Sequence, residues 1–355
     1  MKVALITDTH WGVRGDNVAF LDMNKRFLDG IFFPKIQSLG IQRVVHLGDV
    51  VDRRKYINIY TAKRLREDFI DQLTSRGLKT DIILGNHDVY YKNTNSVNAL
   101  HELYGDVDGI SIHDKAVEMD LYGMKTLYVP WICAENKEHS METLAKSNAS
   151  VCMGHLEIQG FQMYRGSVSD HGEDRRVFEK FDVTLSGHFH HRSSDKSIHY
   201  LGSHGQFTWS DYPDDRGFHI IDTETREIEF VVNPYDMFAK VHYDDSQKTM
   251  DDVLEVMDFS SLSGKYVKVI VKNKLNPFWF DTFCSNIEKS GIVDMQIVED
   301  HLNLNLEEDS DIVDEAESTL DVFKKHISTI TAHNVNTVKL NKLITDLYNQ
   351  AVTVE

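Results

Sequence analysis

Cysteine is scarce in this chain, with only Cys133, Cys152 and Cys284 among 355 residues. An odd, scattered set excludes a disulfide framework and the paired spacing of a structural zinc site, and it points to a reducing cytoplasm. Long apolar runs are also missing. The opening MKVALITDTH meets Asp8 and His10 after a short apolar run, so it reads as a first strand rather than a signal peptide, and no stretch approaches transmembrane length. Positive charge is in deficit too: 38 Lys and Arg against 56 Asp and Glu leave a net charge of −18. Taken alone, that argues against a nucleic-acid partner, because phosphate contacts need Lys and Arg. The distribution softens the objection. Residues 301–355 hold ten acidic residues against four lysines, whereas Arg53 to Arg66 holds six basic residues and no acidic one.

What is present is an ordinary globular composition, 41% hydrophobic and 26% charged, on a chain long enough for one large domain plus smaller additions. Over the first two hundred residues short β-branched runs end in polar clusters and amphipathic stretches follow, the rhythm of α/β layering. The strands expected are Val3 to Thr7, Arg43 to Leu47, Asp81 to Leu84, Lys125 to Val129, Ser150 to Met153 and Asp182 to Ser186. Helices are expected over Val18 to Ser38, Ile57 to Arg76, Ser96 to Tyr104 and Lys137 to Lys146. Ser197 to Leu201, Gly217 to Asp222 and Arg226 to Val232 read as consecutive antiparallel strands, the last two forming a hairpin. Asn233-Pro234 marks a break before a second α/β unit, and an acidic linker and two helices follow from about Asn305. The boundaries expected are 1–232, 233–304 and 305–355.

Five polar clusters stand where strands end: Asp8-Thr9-His10, Gly48-Asp49-Val50-Val51-Asp52, Gly85-Asn86-His87-Asp88, Gly154-His155 and Gly187-His188-Phe189-His190. Each alone is commonplace, but open α/β sheets place ligands at strand C-terminal ends, and the order of all five carries the signal. Mixed carboxylate, imidazole and amide donors suit Mn, Fe or Zn better than Mg or Ca. Two divalent ions about 3.5 to 4 Å apart would share a bridging carboxylate.

In their order, these blocks resemble those of calcineurin-like metallophosphoesterases over about residues 1 to 222. The resemblance implies a layered sandwich of mixed sheets flanked by helices, with a small α/β cap and a helical tail. It implies Asp8, His10 and His190 as ligands of one ion, Asn86, His155 and His188 of the other, and Asp49 bridging both. His87 resembles the family's catalytic histidine, a general acid, and Asp52 matches the carboxylate that orients it in related protein phosphatases. Within the superfamily the likeness is to SbcD-type nuclease subunits, the recombination endonuclease subunit of T-even-like phages among them. Gly85-Asn86-His87-Asp88, the later Tyr200-Leu201-Gly202-Ser203 and the trailing cap and tail carry it. That likeness implies two Mn²⁺ ions, a DNA substrate, an SbcC-type coiled-coil ATPase partner, a homodimer, and the host cytoplasm if the chain is phage-encoded.

Other residues have blander readings. His46 lies within a strand and reads as a hydrogen-bonded core histidine. Asp88 reads as a loop-fixing group, Trp131 as packing and Cys152 as inert. His191 and His204 stand open between substrate contact and support of the ligands. Arg53, Arg54, Lys55 and Tyr56 open a basic run just after the Asp49 loop, which is either the solvated face of a helix or a DNA contact. Lys268 and Lys272 share strand parity with Lys274, so that face either protects an edge strand or meets DNA. In the tail, Val313, Ala316, Leu320, Phe323, Ile327 and Ile330 form one heptad stripe, and Leu340, Leu343, Ile344, Leu347 and Ala351 a second. Short helices of this kind need another surface, either the ATPase partner or the chain's own cap.

The function expected is metal-dependent hydrolysis of DNA phosphodiesters in recombination and repair. A small-molecule or protein phosphoesterase with the same two-metal site is the alternative within enzymes. A non-catalytic scaffold is the alternative outside them, and the filled ligand set argues against it.

Overall fold

The computed structural model describes residues 1–299 except 165, 166, 170, 256 and 257, together with 339, 340, 342 and 343. Met1–Asn305 form one compact unit and Leu306–Glu355 a second. In the second, Lys339, Leu340, Lys342 and Leu343 are helical. Leu320, Phe323, Ile327 and Leu347, and with them most of the expected tail, lie outside the described residues.

Two six-stranded sheets make up the body of the first unit. Its strands are β1 (Lys2–Ile6), β2 (Arg43–His46), β3 (Lys79–Ile83), β4 (Ile110–His113), β5 (Val117–Leu121), β6 (Met124–Val129) and β7 (Val151–His155), then β8 (Gln162–Tyr164) and β9 (Ser167–Val168), which pair only with each other. They continue as β10 (Val183–Gly187), β11 (Ser193–Asp195), β12 (Ile198–Tyr200), β13 (Gly217–Asp222) and β14 (Ile228–Val232). The first sheet runs β14-β13-β1-β2-β3-β4 and the second β11-β12-β10-β7-β6-β5. In each, four adjacent strands are parallel, and the antiparallel pairings lie at β13, β14, β5 and β11.

The alternation along each strand explains the layering. Val3, Leu5, Val45, Leu47 and Ile83 of the first sheet pack on Tyr128, Val151, Met153 and Leu185 of the second. Their sequence neighbours Ala4, Ile6, Val44 and Ile82 face outward onto Phe27, Phe32, Phe69 and Leu73 of the helices. Leu127, Val129 and Cys152 on the outer face of the second sheet meet Leu144 of helix Lys137–Lys146 and Phe178. Truncating one such buried phenylalanine to alanine would cost about 3–5 kcal/mol.

The helical runs 18–38 and 59–75 follow the expected periodicity, and each widens into one π-helical turn, Leu28–Phe32 and Arg66–Ile70. In the first run Pro34 cannot supply the amide that a regular turn requires. Asn17, Asn58, Asn98 and Asn276 each cap a helix by accepting a backbone N–H.

One expectation needs correction. The hairpin expected over 217–232 forms, as β13 and β14 on the edge of the first sheet, but the strand before it does not join them: β12 lies parallel to β10 in the second sheet. Parity and turn signals do not reveal which sheet a strand joins. β4 and β5, one at an edge of each sheet, were not expected at all.

Beyond Pro234 a three-stranded parallel sheet runs in the order β15 (Phe238–Asp244), β16 (Tyr266–Asn273) and β17 (Asp294–Glu299). Val267, Val269 and Val271 pack beneath helix Pro277–Lys289 on Phe280, Phe283 and Ile287. The opposite face joins the body of the unit, where Tyr266 packs on a cluster of Phe20, Phe207, Trp209 and Phe238.

Candidate metal centre

The C-terminal ends of β1, β2 and β3 in one sheet meet those of β7 and β10 in the other, and this convergence brings the five polar clusters together. Asp8, His10 and His190 each place one donor atom within 4.8 Å of the others, as do Asp49, His155 and His188. Asp49 stands between the groups, its Oδ2 3.2 Å from Nε2 of His155 and 3.8 Å from Nε2 of His10. Asn86 joins the second group, with Oδ1 2.9 Å from both Nε2 of His155 and Nδ1 of His188.

Strain marks the same residues. Asp8, His10, Asp49 and His188 have φ of 50°, 40°, 55° and 89°, left-handed conformations that non-glycine residues hold only where the surroundings enforce them. Two glycines make the approach possible. A Cβ on Gly85 would stand 2.1 Å from Oδ1 of Asp49, and one on Gly48 2.4 Å from Nδ1 of His155.

The donor set fits divalent cations. His155 donates from Nδ1 to the carbonyl of Leu47 at 2.8 Å, so Nε2 is the nitrogen aimed at a space already lined by oxygens of Asp49 and Asn86. Nε2 of His10 and Nε2 of His190 face each other at 2.9 Å. Donor groups thus converge in a buried place that favours positive charge, and the raised pKa values of His10 and His155 report it. Burial pushes His10 down, but the bond to Asp52 and the charges of Asp49, Asp52 and Asp8 outweigh it and hold His10 up at about 10. Burial likewise works against the His155 cation, yet Asp49, Asp8 and the Leu47 carbonyl raise it to about 9. His188 is pushed down to about 3 by burial and by His155, and His190 falls well below its usual value by burial, His10 and Arg216. Both are neutral near pH 7, the form that binds metal. Asp49 is held well below the usual carboxylate range because His155, His87 and His10 overcome its burial, while burial chiefly raises Asp8.

These features meet a family match. Residues 1–192 match the family Calcineurin-like phosphoesterase. The chain belongs to the calcineurin-like phosphoesterases. This phosphoesterase is 32% identical over 280 residues to the "Exonuclease subunit 1" of Enterobacteria phage T4, an alignment covering 78% of this chain and 80% of that one. It is 26% identical over 156 residues to the SbcD subunit of the SbcCD nuclease of Staphylococcus saprophyticus, covering 41% of this chain and 36% of that one. A solved archaeal phosphodiesterase is 14% identical, with 66% of this chain and 100% of that one covered at a TM-score of 0.33. That likeness is too distant to carry an argument.

His87 lies beside the first group, its ring 4.9 Å from that of His10 and its backbone N–H bonded to Oδ1 of Asp49 at 2.8 Å. The partner expected for it takes another form. Nδ1 of His87 lies 2.5 Å from the backbone carbonyl of Asp52, whereas the Asp52 carboxylate lies 3.4 Å from Nδ1 of His10. The loop after Asp49 therefore orients both imidazoles with different atoms of one residue.

Asp88 underlies both loops. Its Oδ2 accepts from the N–H groups of Asp49 and Gly85, and its Oδ1 from those of Val50 and Val51, at 2.9–3.1 Å. Burial and the charge of Asp49 raise it to about 7 against the pull of those N–H donors. His46 is a core histidine, accepting from Gly48 N–H at Nδ1 and facing Thr9 at Nε2. Trp131 packs its ring 5.2 Å from that of His188, His204 faces Asn24, and His191 faces Asp214.

The basic residues divide. Lys55 and Tyr56 are exposed and Arg54 half-buried, while Arg53 is bound to Asp16 at 3.0 Å and to Tyr56 at 2.8 Å. Lys272 is exposed, but Lys268 is only 4% exposed, with its ammonium 4.3 Å from the Trp209 ring. The expected outward basic face is therefore corrected at Lys268. β16 is the central strand of its sheet, so edge protection does not apply, and that side of it packs against the body of the unit.

Sequence reasoning missed Arg216. Buried, it donates to the His190 carbonyl and to Ser203 and pairs with Asp211. The Tyr200-Leu201-Gly202-Ser203 stretch is part of the same support. The Tyr200 hydroxyl bridges Leu156 and Ile158 beyond His155, and Ser203 N–H donates to the His190 carbonyl at 3.1 Å. A lone arginine between strands offers no pattern by which to find it.

Proposed function

We propose that the chain is a metal-dependent DNA nuclease that hydrolyses phosphodiesters at duplex ends or secondary structures, acting in recombination and repair with an SbcC-type ATPase. The observation that carries the reading is the pair of donor groups joined through Asp49 in a chain similar over most of its length to a phage exonuclease subunit. In this reading Asp8, His10 and His190 hold one ion, Asn86, His155 and His188 the other, and Asp49 both; Mn²⁺ suits the mixed donors best. Bound there, the ions supply Lewis-acid polarisation of the phosphate and activation of a water near neutral pH.

The chain's own residues do the rest. Nδ1 of His87 donates to the Asp52 carbonyl, which assigns proton transfer to Nε2, and that nitrogen protonates the leaving oxygen as general acid. Asp52 steadies His10 through its carboxylate, and Asp88 holds the loops of Asp49 and Gly85 in place. Residues 233–304 serve as a cap that selects DNA ends, with Lys272 facing the nucleic acid as Arg54, Lys55 and Tyr56 do beside the site. Residues 305–355 dock the ATPase through Leu320, Phe323, Ile327, Leu340, Leu343 and Leu347. Assembly as a homodimer in the cytoplasm, the host's if the chain is phage-encoded, belongs to the same reading. No helix of the described residues is long and apolar enough to cross a membrane.

The test is incubation with end-labelled duplex DNA, with and without Mn²⁺, beside p-nitrophenyl phosphate. Mn²⁺-dependent shortening of the DNA supports the reading. Turnover of the small ester alone would favour the phosphoesterase alternative, and activity on neither substrate would favour the scaffold.

A further inference from the structure

We infer that Arg14 forms a second phosphate subsite, which grips the phosphodiester adjacent to the one being hydrolysed; the inference rests on the nuclease reading above. The backbone leaving His10 passes through Gly12, Arg14, Gly15 and Asp16 with φ of 102°, 55°, 73° and 63°. For Arg14 and Asp16 this left-handed geometry is unfavourable and needs external support.

The support is visible on both flanks. One Asp16 carboxylate oxygen accepts from the Thr61 hydroxyl at 2.7 Å and the other from Arg53 at 3.0 Å. Next to it, Asn17 donates to the Tyr266 hydroxyl at 2.7 Å and caps the following helix. These bonds occupy both carboxylate oxygens of Asp16, and Arg14 makes no ion pair among the described residues.

Arg14 itself is exposed, yet it is not loose. Its Nε donates to the carbonyl of Phe207 at 2.9 Å, and the buried Phe207 ring lies 5.7 Å from His10 and 5.9 Å from His190. One edge of the guanidinium is thus pinned beside the first donor group. Its two terminal nitrogens meet no hydrogen-bond or ion-pair partner among the described residues. A planar pair of N–H donors matches two oxygens of a phosphate. Arg14 follows His10 by four positions, a Cα span of at most about 14 Å, which puts a linkage flanking the reacting one within its reach.

This divides the labour of the basic residues. Arg53 braces the strained loop by neutralising Asp16, and Arg14 presents the free charge. The run starting at Arg53 is a dense basic cluster in the sequence, whereas Arg14 lies alone between Gly12 and Gly15.

The test compares Arg14→Gln and Arg14→Lys with the unaltered full chain, loaded with Mn²⁺, on a labelled oligonucleotide and on bis(p-nitrophenyl) phosphate, which has one phosphorus and no flanking linkage. Arg14→Gln should lose about tenfold more kcat/KM on the oligonucleotide than on the single ester, the scale of a charge-assisted contact. Its salt dependence on DNA should flatten by about one counterion, a slope change of about 0.7–0.9. Arg14→Lys should retain the wild-type slope. A neutral methylphosphonate at the flanking linkage should slow the unaltered chain and leave Arg14→Gln nearly indifferent. Equal losses on both substrates, an unchanged salt slope, or loss of bound metal in step with activity would overturn the subsite. If the unaltered chain turns over the ester but not the oligonucleotide, the nuclease reading itself fails and the subsite with it.

Discussion

Asp88→Asn should destabilise the protein and disorganise the metal loops together. The carboxylate accepts four backbone N–H groups, from Asp49, Gly85, Val50 and Val51. The amide keeps one accepting oxygen, so two of the four donors would face an NH₂ group instead. Each buried donor left without an acceptor costs about 1–3 kcal/mol, giving about 2–6 kcal/mol against a typical total stability of ~5–15 kcal/mol. The change is nearly isosteric, so a cavity contributes little. Urea unfolding of both proteins in chelator would measure the loss without the stabilisation that bound metal adds, and metal analysis of the untreated proteins would measure occupancy. The expected result is a lower urea midpoint together with reduced metal content. A variant with the wild-type midpoint and two ions per chain would refute the claim that this carboxylate shapes the loops.

Four further outcomes are expected. His87→Ala should keep both ions and lose about 10²-fold to 10⁴-fold in rate, the usual size of a general-acid contribution; metal loss in proportion to activity would instead make His87 a ligand. Asp52→Asn should weaken metal binding about 10-fold to 100-fold through His10 while largely preserving kcat at saturating metal, because a carbonyl holds His87; a kcat loss there as large as that of His87→Ala would restore the carboxylate dyad. Asp81 is buried, and although burial raises it, His113 and Arg43 outweigh that and hold it below its usual value. Its stabilisation is therefore present above about pH 3.9, the unfolded value, and is lost as pH falls through the lower folded value. In urea unfolding, the stability gap between wild type and Asp81→Asn should narrow below that pH, and a constant gap would contradict the assignment. Deleting residues 311–355 should leave nuclease activity on simple DNA while abolishing co-purification with the ATPase; retained co-purification would place the contact elsewhere.

The candidate site was legible because its chemistry is local in sequence: an apolar strand, a turn, and then Asp, Asn or His. The helices were legible for a similar reason, since asparagine caps and periodic apolar faces act over a few residues. Pairings between distant segments were not. Whether β12 joined β10 or β13 depended on contacts that no short pattern records, and the edge strands β4 and β5 lack long apolar runs. Lys268 illustrates the same limit, because strand parity placed it on one face correctly but could not show that Trp209 covers that face. The Asp52 carbonyl was invisible for another reason: a motif names side chains, and here the backbone of the named residue makes the contact to His87. Arg216 and Arg14 act through carbonyls of residues 26 and 193 positions away, distances over which a single sequence carries no spacing signal.

The measurement closest to the central claim is metal content and DNA cleavage determined on the same preparations of the unaltered chain and Asp49→Ala. Two ions per chain and Mn²⁺-dependent cleavage of end-labelled duplex DNA are expected for the first, with loss of both ions and of cleavage in the variant, because one carboxylate serves both donor groups. Two retained ions with near-normal cleavage in Asp49→Ala would contradict the account.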